Sequence, residues 1–234
     1  MKIILFGGSG MVGQGVLREC LRADGVSEVL AIGRAPLEAR HPRLKQLVQA
    51  DLFALAPLQA QFDDFDACFF CVGSSVSGAD EDAYTRINHD LPLAVAAVLA
   101  RANPGMAFTY VSGQGTDASE RGRTTWARIK GRTENALQQL GFRAVYLFRP
   151  GLIFPLHGET SSTRLYRMTY AALGWLSRPL RRLFPNSVLD TEQIGEAMLQ
   201  VARSGAGNHV LESTDIHRLA MAWRSNDIRR EHAR

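Results

Sequence analysis

The chain has 234 residues, of which 46% are hydrophobic and 21% are charged. This length is too great for a disulfide-stapled mini-protein and too short for two full-sized domains, and the composition excludes disordered and collagen-like chains. The formal net charge of +4 is small and spread along the chain. It favours anionic ligands without indicating a nucleic-acid-binding protein.

The cysteine content and the N-terminal residues indicate the compartment. Three cysteines cannot all pair, and Met1 leads into a short apolar run and then glycine, not into a signal sequence. No stretch approaches the ~20 apolar residues that cross a bilayer. We therefore expect a reduced, cytoplasmic protein without an integral membrane segment.

The first 150 residues alternate short apolar runs with longer helical patterns, which is typical of strands and helices that build a parallel sheet. The predicted strands are 2–6, 28–32, 47–50, 67–72, 107–111 and 144–148, and the predicted helices are 12–23, 80–102 and 125–140. With right-handed crossovers, this pattern predicts an α/β fold with a doubly wound parallel sheet over residues 1–151.

The alternation of predicted strands and helices ends after Gly151, and residues 152–234 are predicted to form a small C-terminal lobe packed on the same domain. Helices are expected at 190–202 and from 215, with a short strand at 209–212. The segment Thr163–Phe184 is basic and amphipathic. We interpret it as a helical lid over the ligand crevice, and the alternative is a peripheral contact with an anionic membrane.

A glycine-rich turn between the first strand and the first helix carries the strongest chemical signal. Gly8, Gly10 and Gly13 match G-x-G-x-x-G, in the strand–turn–helix context that a dinucleotide requires. Glycine lets the backbone approach a pyrophosphate, and the helix N-terminus faces its charge. The predicted cofactor-binding residues here are Gly7, Ser9, Gly10, Met11, Val12 and Gly13.

The end of the second strand indicates which dinucleotide is bound. It carries Arg34 and no acidic residue, and an arginine at this position can contact a 2′-phosphate. We therefore favour NADP over NAD as the cofactor, with NAD as the alternative. The remaining predicted cofactor contacts are Asp51 and Leu52 after the third strand and Cys71, Val72 and Gly73 after the fourth. Helix capping is an equally good interpretation of Asp51.

Other catalytic patterns are excluded. Cys68 and Cys71 form a C-x-x-C, but residues three apart on a strand point to opposite faces, so we assign both to the core. The six histidines have no metal-ligand spacing, and no metal site is predicted. The chain contains no G-x-S-x-G, which removes the simplest hydrolase interpretation.

Taken together, five segments resemble the short-chain dehydrogenase/reductase superfamily. Within it, the chain is most similar to the atypical branch of Tat-interacting-protein-like oxidoreductases and bacterial proteins labelled nucleoside-diphosphate-sugar epimerases. The segments that carry the resemblance are Gly7–Gly13, Gly33-Arg34, Tyr110-Val111-Ser112-Gly113, Trp126-Ala127-Arg128-Ile129-Lys130-Gly131 and Phe148-Arg149-Pro150-Gly151.

The resemblance implies a Rossmann fold and an active site that pairs a serine with a Tyr-x-x-x-Lys helix. Ser112 and Lys130 match the serine and the lysine, and Lys130 would also hold the nicotinamide ribose. Pro150 and Gly151 would form a rigid turn near the nicotinamide, and Asn88 resembles an asparagine often found in the preceding helix. The tyrosine position holds Trp126, whose indole cannot act as an acid or base. The hydroxyls that could substitute are those of Tyr84, Tyr110, Thr124, Thr125 and Tyr166.

Two functions are compatible with these residues. The first is an NADP(H)-binding oxidoreductase or epimerase-like enzyme that acts by hydride transfer on a small carbonyl or sugar-type substrate. The second is a catalytically weak or inactive NADPH-binding sensor or regulatory protein, which the replacement of the tyrosine by Trp126 favours.

Overall fold

The computed structural model describes residues 1–74, 80–159 and 188–231, with side chains as far as residue 226. A seven-stranded parallel sheet in the order β3-β2-β1-β4-β5-β6-β9 forms the centre of the fold. The strands are β1 Lys2–Phe6, β2 Glu28–Gly33, β3 Leu44–Val48, β4 Ala67–Phe70, β5 Ala107–Val111, β6 Ala144–Arg149 and β9 Val210–Glu212. The predicted doubly wound parallel sheet is confirmed.

Helices cover both faces of the sheet. They are α1 Met11–Arg22, α2 Glu81–Thr85, α3 Leu91–Ala102, α4 Thr125–Leu137, α5 Thr191–Ser204 and α6 Ser213–Glu231, with a 3-10 helix at Ala56–Phe62. A π-helical turn, Arg86–Asp90, joins α2 to α3, so the long helix expected over 80–102 contains a local widening. Among the described residues, no helix combines the length and the apolar character that a membrane span needs.

Successive side chains of the buried strands point to opposite faces of the sheet, and this divides the core into two layers. Ile3 and Leu5 of β1 pack in one layer with α1 and α5, whereas Ile4 and Phe6 pack in the other with α3. Cys68 lies in the second layer, and Cys71 packs against the first. The two thiols of the C-x-x-C therefore lie on opposite sides of the sheet, as expected for strand residues three apart.

The described part of the C-terminal region contributes to this same sandwich. Strand β9 extends the sheet beside β6, and α5 packs so closely on α1 that a Cβ at Gly15 would lie 2.5 Å from the Cβ of Thr191. Strands β7 Leu152–Phe154 and β8 Val188–Asp190 form a separate two-stranded sheet. The predicted lid, Thr163–Phe184, lies outside the described residues.

The third strand begins and ends earlier than predicted. The apolar run indicated 47–50, whereas β3 spans Leu44–Val48. It is an edge strand in which no residue is fully buried, so its sequence lacks the continuous apolar run of the central strands. Lys45 instead forms an exposed ion pair with Glu28 of β2.

The connection from β2 to β3 is a loop, and Arg43 attaches it to the end of α1. The Arg43 guanidinium donates to the carbonyl of Ala23 at 2.7 Å, to that of Val26 at 2.6 Å and to that of Leu21. These are carbonyls at or just beyond the C-terminus of the helix, where backbone acceptors lack intrahelical partners. A cation here also interacts favourably with the helix dipole.

We expect Arg43→Ala to lower the free energy of unfolding by about 2 kcal/mol, because it removes several charge-assisted hydrogen bonds from half-buried carbonyls. Urea denaturation measures the effect. Arg123→Ala, on an exposed loop, is the control and should change the midpoint little. If Arg43→Ala were as stable as that control, Arg43 would not fix the helix end.

Candidate functional site

A crevice opens where the strand order reverses, at the carboxyl ends of β1 and β4. Such a switch point is where open α/β sheets bind ligands. The Gly7–Gly13 turn connects β1 to α1 on one side of it. The Gly10 amide donates to the Gly7 carbonyl at 2.9 Å, and Gly7 has a φ of +83°, which only glycine adopts easily.

Two glycines of the turn are required by close backbone contacts. A Cβ at Gly13 would lie 2.0 Å from the carbonyl oxygen of Gly7, and one at Gly7 would lie 2.7 Å from the carbonyl of Cys71. Gly10 differs, because a Cβ there would meet only the Gly7 oxygen at an ordinary 3.5 Å. Gly7 and Gly13 therefore build the turn, whereas Gly10 leaves space in front of it.

The N-terminus of α1 faces this space, and no side chain caps its backbone amides. Gly10 is the N-cap, and the first turn contains no acidic residue. The first amides of a helix, here those of Met11, Val12 and Gly13, have no intrahelical acceptor. This end of α1 therefore suits an anion.

A narrow pocket continues from the glycine turn toward β2 and β3. Leu37 forms one wall, and a Cβ at Gly8 would lie 3.0 Å from its side chain. Gln46 of β3 holds this wall in place by accepting from the Leu37 amide at 2.7 Å and donating to the Leu37 carbonyl at 3.2 Å. Residues lining the pocket include Gly8, Ser9, Ile32, Gly33, Leu37 and Leu47.

The predicted nucleotide-selecting residues lie near this pocket without forming it. Arg34 directly follows β2 and is exposed, and its guanidinium has no partner within the described part of the chain. Asp51 is exposed and accepts from the Phe53 amide at 3.0 Å, which is a local turn contact. It does not cap the next helix, Ala56–Phe62, whose N-cap is Leu55. Leu52 is buried in the second core layer.

On the opposite side of the crevice, the end of β4 approaches helix α4. Cys71 contacts Gly7 through its backbone, and Val72 packs against the second core layer. A Cβ at Gly73 would lie 3.7 Å from Lys130 Nζ and 3.6 Å from Asn88 Oδ1. The structure therefore brings the β4 terminus, Asn88 and Lys130 together.

Lys130 is the buried cation of the site, with 6% of its surface exposed. Its ammonium donates to the Val111 carbonyl at 3.1 Å and lies 5.0 Å from the centre of the Tyr110 ring. Burial lowers the pKa of Lys130 to about 8, and the neighbouring Glu134 carboxylate opposes that decrease.

Ser112 lies at the end of β5 and contacts two acceptors. Its Oγ is 2.6 Å from Glu134 Oε1 and 3.1 Å from the Phe148 carbonyl oxygen. A hydroxyl has one proton, so this proton is directed toward the protein, and an oxygen lone pair remains for a ligand. Ser112 is half-buried.

Arg149 fixes the Glu134 carboxylate from β6. Its Nε lies 3.1 Å and 3.2 Å from the two carboxylate oxygens, and its terminal nitrogen makes a further short contact. Glu134 is 1% exposed. Pro150 and Gly151 follow directly; the Pro150 carbonyl accepts from the Gln114 amide, and the Gly151 amide donates to Ser213 Oγ.

The tyrosine position of the motif holds the half-buried Trp126, which contacts the loop at Gly115. Among the hydroxyls considered as substitutes, Tyr110 donates to the Asn88 carbonyl at 2.9 Å, and burial raises its pKa well above the usual value. Burial also raises the pKa of Tyr84 to about 12. Neither phenol is prepared for proton transfer near neutral pH.

The other proposed substitutes contribute little here. Thr124 is exposed at the start of α4, and Thr125 Oγ1 accepts from Arg128 at 3.3 Å. Tyr166 lies outside the described residues. Within the described ranges, no group of histidine, cysteine or acidic side chains has the arrangement of a metal site.

Sequence reasoning missed the ion pair between Glu134 and Arg149. Glu134 is four residues after Lys130 and therefore on the same face of α4, so helical spacing could have identified it. Arg149 was noted only as part of a rigid turn, because its partner lies on a helix fifteen residues earlier in the chain.

Comparison with known proteins agrees with this geometry. The model of the NAD dependent epimerase/dehydratase family matches residues 3–124. The chain is 30% identical over 155 residues to protein HTATIP2 of Rattus norvegicus, a match that covers 65% of the chain and 62% of the rat protein. It is 27% identical over 223 residues to the protein fmp52-2, mitochondrial, of Aspergillus oryzae, covering 92% of the chain and 95% of that protein.

Solved structures share the fold. The Bordetella bronchiseptica enzyme WbmF in complex with NAD+ superposes with a TM-score of 0.66 at 15% identity, over 96% of this chain and 77% of that one. MoeE5 in complex with UDP-glucuronic acid and NAD gives 0.67 at 17% identity, over 91% and 76%. The name of the fungal relative assigns that protein to mitochondria, and the cytoplasmic location expected for this chain stays a prediction.

The two kinds of glycine in the turn should respond differently to substitution. Gly13→Ala is expected to lower the free energy of unfolding by about 1–3 kcal/mol, because its Cβ would overlap the Gly7 carbonyl. Gly10→Ala should cost less, about 0.5–1 kcal/mol, because alanine is a poorer N-cap than glycine but its Cβ would make only an ordinary contact. Chemical denaturation of both variants checks the contrast, and equal losses would contradict the assigned turn geometry.

Proposed function

The chain belongs to the NAD dependent epimerase/dehydratase family, and on that basis we propose that it is an NADP(H)-dependent oxidoreductase or epimerase-like enzyme. Its substrate would be a small carbonyl or sugar-type molecule, and its reaction a hydride transfer. The observation that carries the proposal is the buried Lys130 ammonium, directed at the β4 terminus across the crevice from the uncapped end of α1.

The residues of the crevice fit a dinucleotide. The space in front of Gly10 and the free amides of Met11, Val12 and Gly13 suit a pyrophosphate. The pocket beside Ser9 and Leu37 suits the adenosine ribose, with Arg34 exposed next to it for a 2′-phosphate. Asp51, Leu52, Cys71, Val72 and Gly73 complete the proposed cofactor contacts, together with Pro150 and Gly151.

Lys130 and Ser112 are the proposed catalytic residues. Lys130 has one neutral acceptor, so its remaining N–H donors can orient ribose hydroxyls. Ser112 directs its proton to Glu134 or Phe148 and can accept a hydrogen bond from a substrate hydroxyl. When bound, the nicotinamide would supply or accept the hydride. The protein then has to supply only binding, orientation and one proton.

The proton donor distinguishes the two candidate functions. Trp126 has no ionisable proton near neutral pH, and the Tyr110 hydroxyl is committed to Asn88. A binding site that has lost its acid is what a sensor or regulatory protein would retain. This observation favours, as the second candidate, an NADPH-binding protein with weak or no turnover.

We further propose that residues 152–234 supply the substrate-facing lobe through strands β7 and β8, which form a separate two-stranded sheet, because β9 and α5 belong to the central sandwich. No nucleic acid is expected as a partner.

Isothermal titration should give tighter binding of NADPH than of NADH, by roughly 10- to 100-fold, because the guanidinium of Arg34 would contact the 2′-phosphate. Arg34→Ala should remove most of this preference and leave NADH binding unchanged. Arg123→Ala is the matched control at another exposed arginine. Equal affinities for the two cofactors in the unchanged protein would contradict the NADP assignment.

Turnover separates the enzyme from the regulatory protein. The full chain with NADPH should oxidise the nicotinamide, followed by its absorbance, with at least one compound of a panel of aldehydes and ketones, or with NADP+ should convert at least one UDP-sugar to its epimer. Epimerisation returns the hydride to the sugar, so the second panel is followed by analysis of the sugar and not by absorbance. Lys130→Met should lower the rate of turnover by about 100-fold or more, in the range expected when the cofactor is no longer correctly oriented. Tight NADPH binding with no turnover across both panels would reject the enzyme and retain the second candidate.

A further inference from the structure

Lys130 is an ammonium placed where a charge is costly. Only 6% of the residue is exposed, and the one hydrogen-bond acceptor that it contacts in the described part of the chain is the neutral Val111 carbonyl, 3.1 Å away. Within the described residues no carboxylate forms an ion pair with it. Burial of a charge without such compensation favours the neutral amine, so another group must offset the loss of hydration if Lys130 is to stay charged.

Glu134 is one helical turn from Lys130, and its carboxylate is fixed by an ion pair and a hydrogen bond. Arg149 contacts both carboxylate oxygens from β6, and Ser112 contributes a hydrogen bond of 2.6 Å from β5. Residues four apart lie on one face of a helix, so the carboxylate acts on Lys130 through space without bonding it. The pair on β6 and α4 thus supplies a fixed negative charge near the ammonium.

The other groups around Lys130 add no comparable charge. The Tyr110 ring of β5 lies beneath the ammonium, and burial keeps that phenol neutral by raising its pKa. Tyr84 of α2 is likewise neutral because burial raises its pKa to about 12. His89 of the π-helical turn contacts Thr133 of α4, and burial lowers the pKa of its imidazole. Glu212 of β9 pairs with Arg149 on the exposed side, at 3.5 Å.

We propose that Glu134, held by Arg149 and Ser112, is a positioning residue that keeps Lys130 protonated at neutral pH, and that cofactor affinity therefore falls as Lys130 loses its proton. This inference rests on the proposed function only in its second half. Lys130, Glu134 and Arg149 together carry one net positive charge, which suits an anionic dinucleotide at the crevice.

The chain offers a direct measurement, because Lys2, Lys45 and Lys130 are its only lysines. Protein labelled with 13C at lysine Cε should give three NMR signals, and Lys130→Arg identifies the third. In the unchanged protein that signal should titrate near pH 8, where burial and Glu134 together place the pKa of Lys130. Titration of the Lys130 signal together with those of Lys2 and Lys45 would overturn the proposal.

Variants then test the role of Glu134. In Glu134→Gln, the charged fraction of Lys130 at pH 8 should fall from about one half to roughly one tenth, since an opposite charge at this range shifts a pKa by a unit or more. Glu134→Asp keeps the carboxylate and should restore most of the charge. Glu196→Gln is the matched control, because it removes another buried glutamate paired with an arginine, Arg224, away from the site.

A second variant covers the case in which Glu134→Gln does not fold. Glu134→Gln leaves the Arg149 guanidinium buried without its partner, so the double variant Glu134→Gln with Arg149→Met removes both buried charges together. Loss of Arg149 by itself would raise the pKa of Lys130, because a nearby cation is removed, so Arg149→Met alone is the reference for the double variant. The Lys130 signal of the double variant should titrate below its position in Arg149→Met. If Lys130 titrates at the position of the reference in either comparison, Glu134 does not set the charge.

NADPH titrations between about pH 7 and pH 9 test the link to the cofactor. The affinity of the unchanged protein should fall several-fold across this range, as a charge-assisted contact is lost. Lys130→Arg stays charged, so its affinity should be nearly constant. Binding that is strong and independent of pH would overturn the inference. Failure to bind NADPH or NADH at any pH would instead reject the proposed function, and the lysine titration would still decide the role of Glu134.

Discussion

The contact between the Gly13 backbone and the Gly7 carbonyl is the constraint on which the site depends. A side chain at either glycine would collide with backbone atoms of the turn or of β4. Because neither has one, α1 begins directly at the end of β1, and its free amides face the reversal of strand order. The crevice is therefore a consequence of backbone packing at two positions, and Gly10 keeps its entrance open.

Charge is then distributed around this crevice by elements that are distant in sequence. The N-terminus of α1, Arg34 after β2 and Lys130 of α4 all present positive potential toward it. The carboxylate of the buried residue Glu134 accepts hydrogen bonds from Arg149 and Ser112. A net charge of only +4 is therefore compatible with a crevice that carries local positive potential.

The sequence predicted the fold because its central strands are buried on both faces and therefore read as continuous apolar runs. β1 and β5 begin and end where expected, whereas the edge strand β3 does not, because exposure removes that signal. The glycine turn could be predicted from local spacing. The ion pair between Glu134 and Arg149 could not be identified from the sequence alone, because the two residues meet only after β6 packs beside α4.

The same limit applies to the chemistry of the site. The resemblance to the short-chain dehydrogenase/reductase superfamily implied that Ser112 and Lys130 share one site. It could not determine that Ser112 would contact two acceptors, or that the Tyr110 hydroxyl would be used by Asn88. Those outcomes depend on side-chain directions in the folded chain and decide which proton is available.

A crystal structure of the full chain grown with NADPH would show whether the crevice binds the dinucleotide. We expect the pyrophosphate at the amides of Met11, Val12 and Gly13, with Lys130 Nζ within hydrogen-bond distance of the nicotinamide ribose. A dinucleotide bound elsewhere, with Lys130 still bonded only to the Val111 carbonyl, would contradict this expectation.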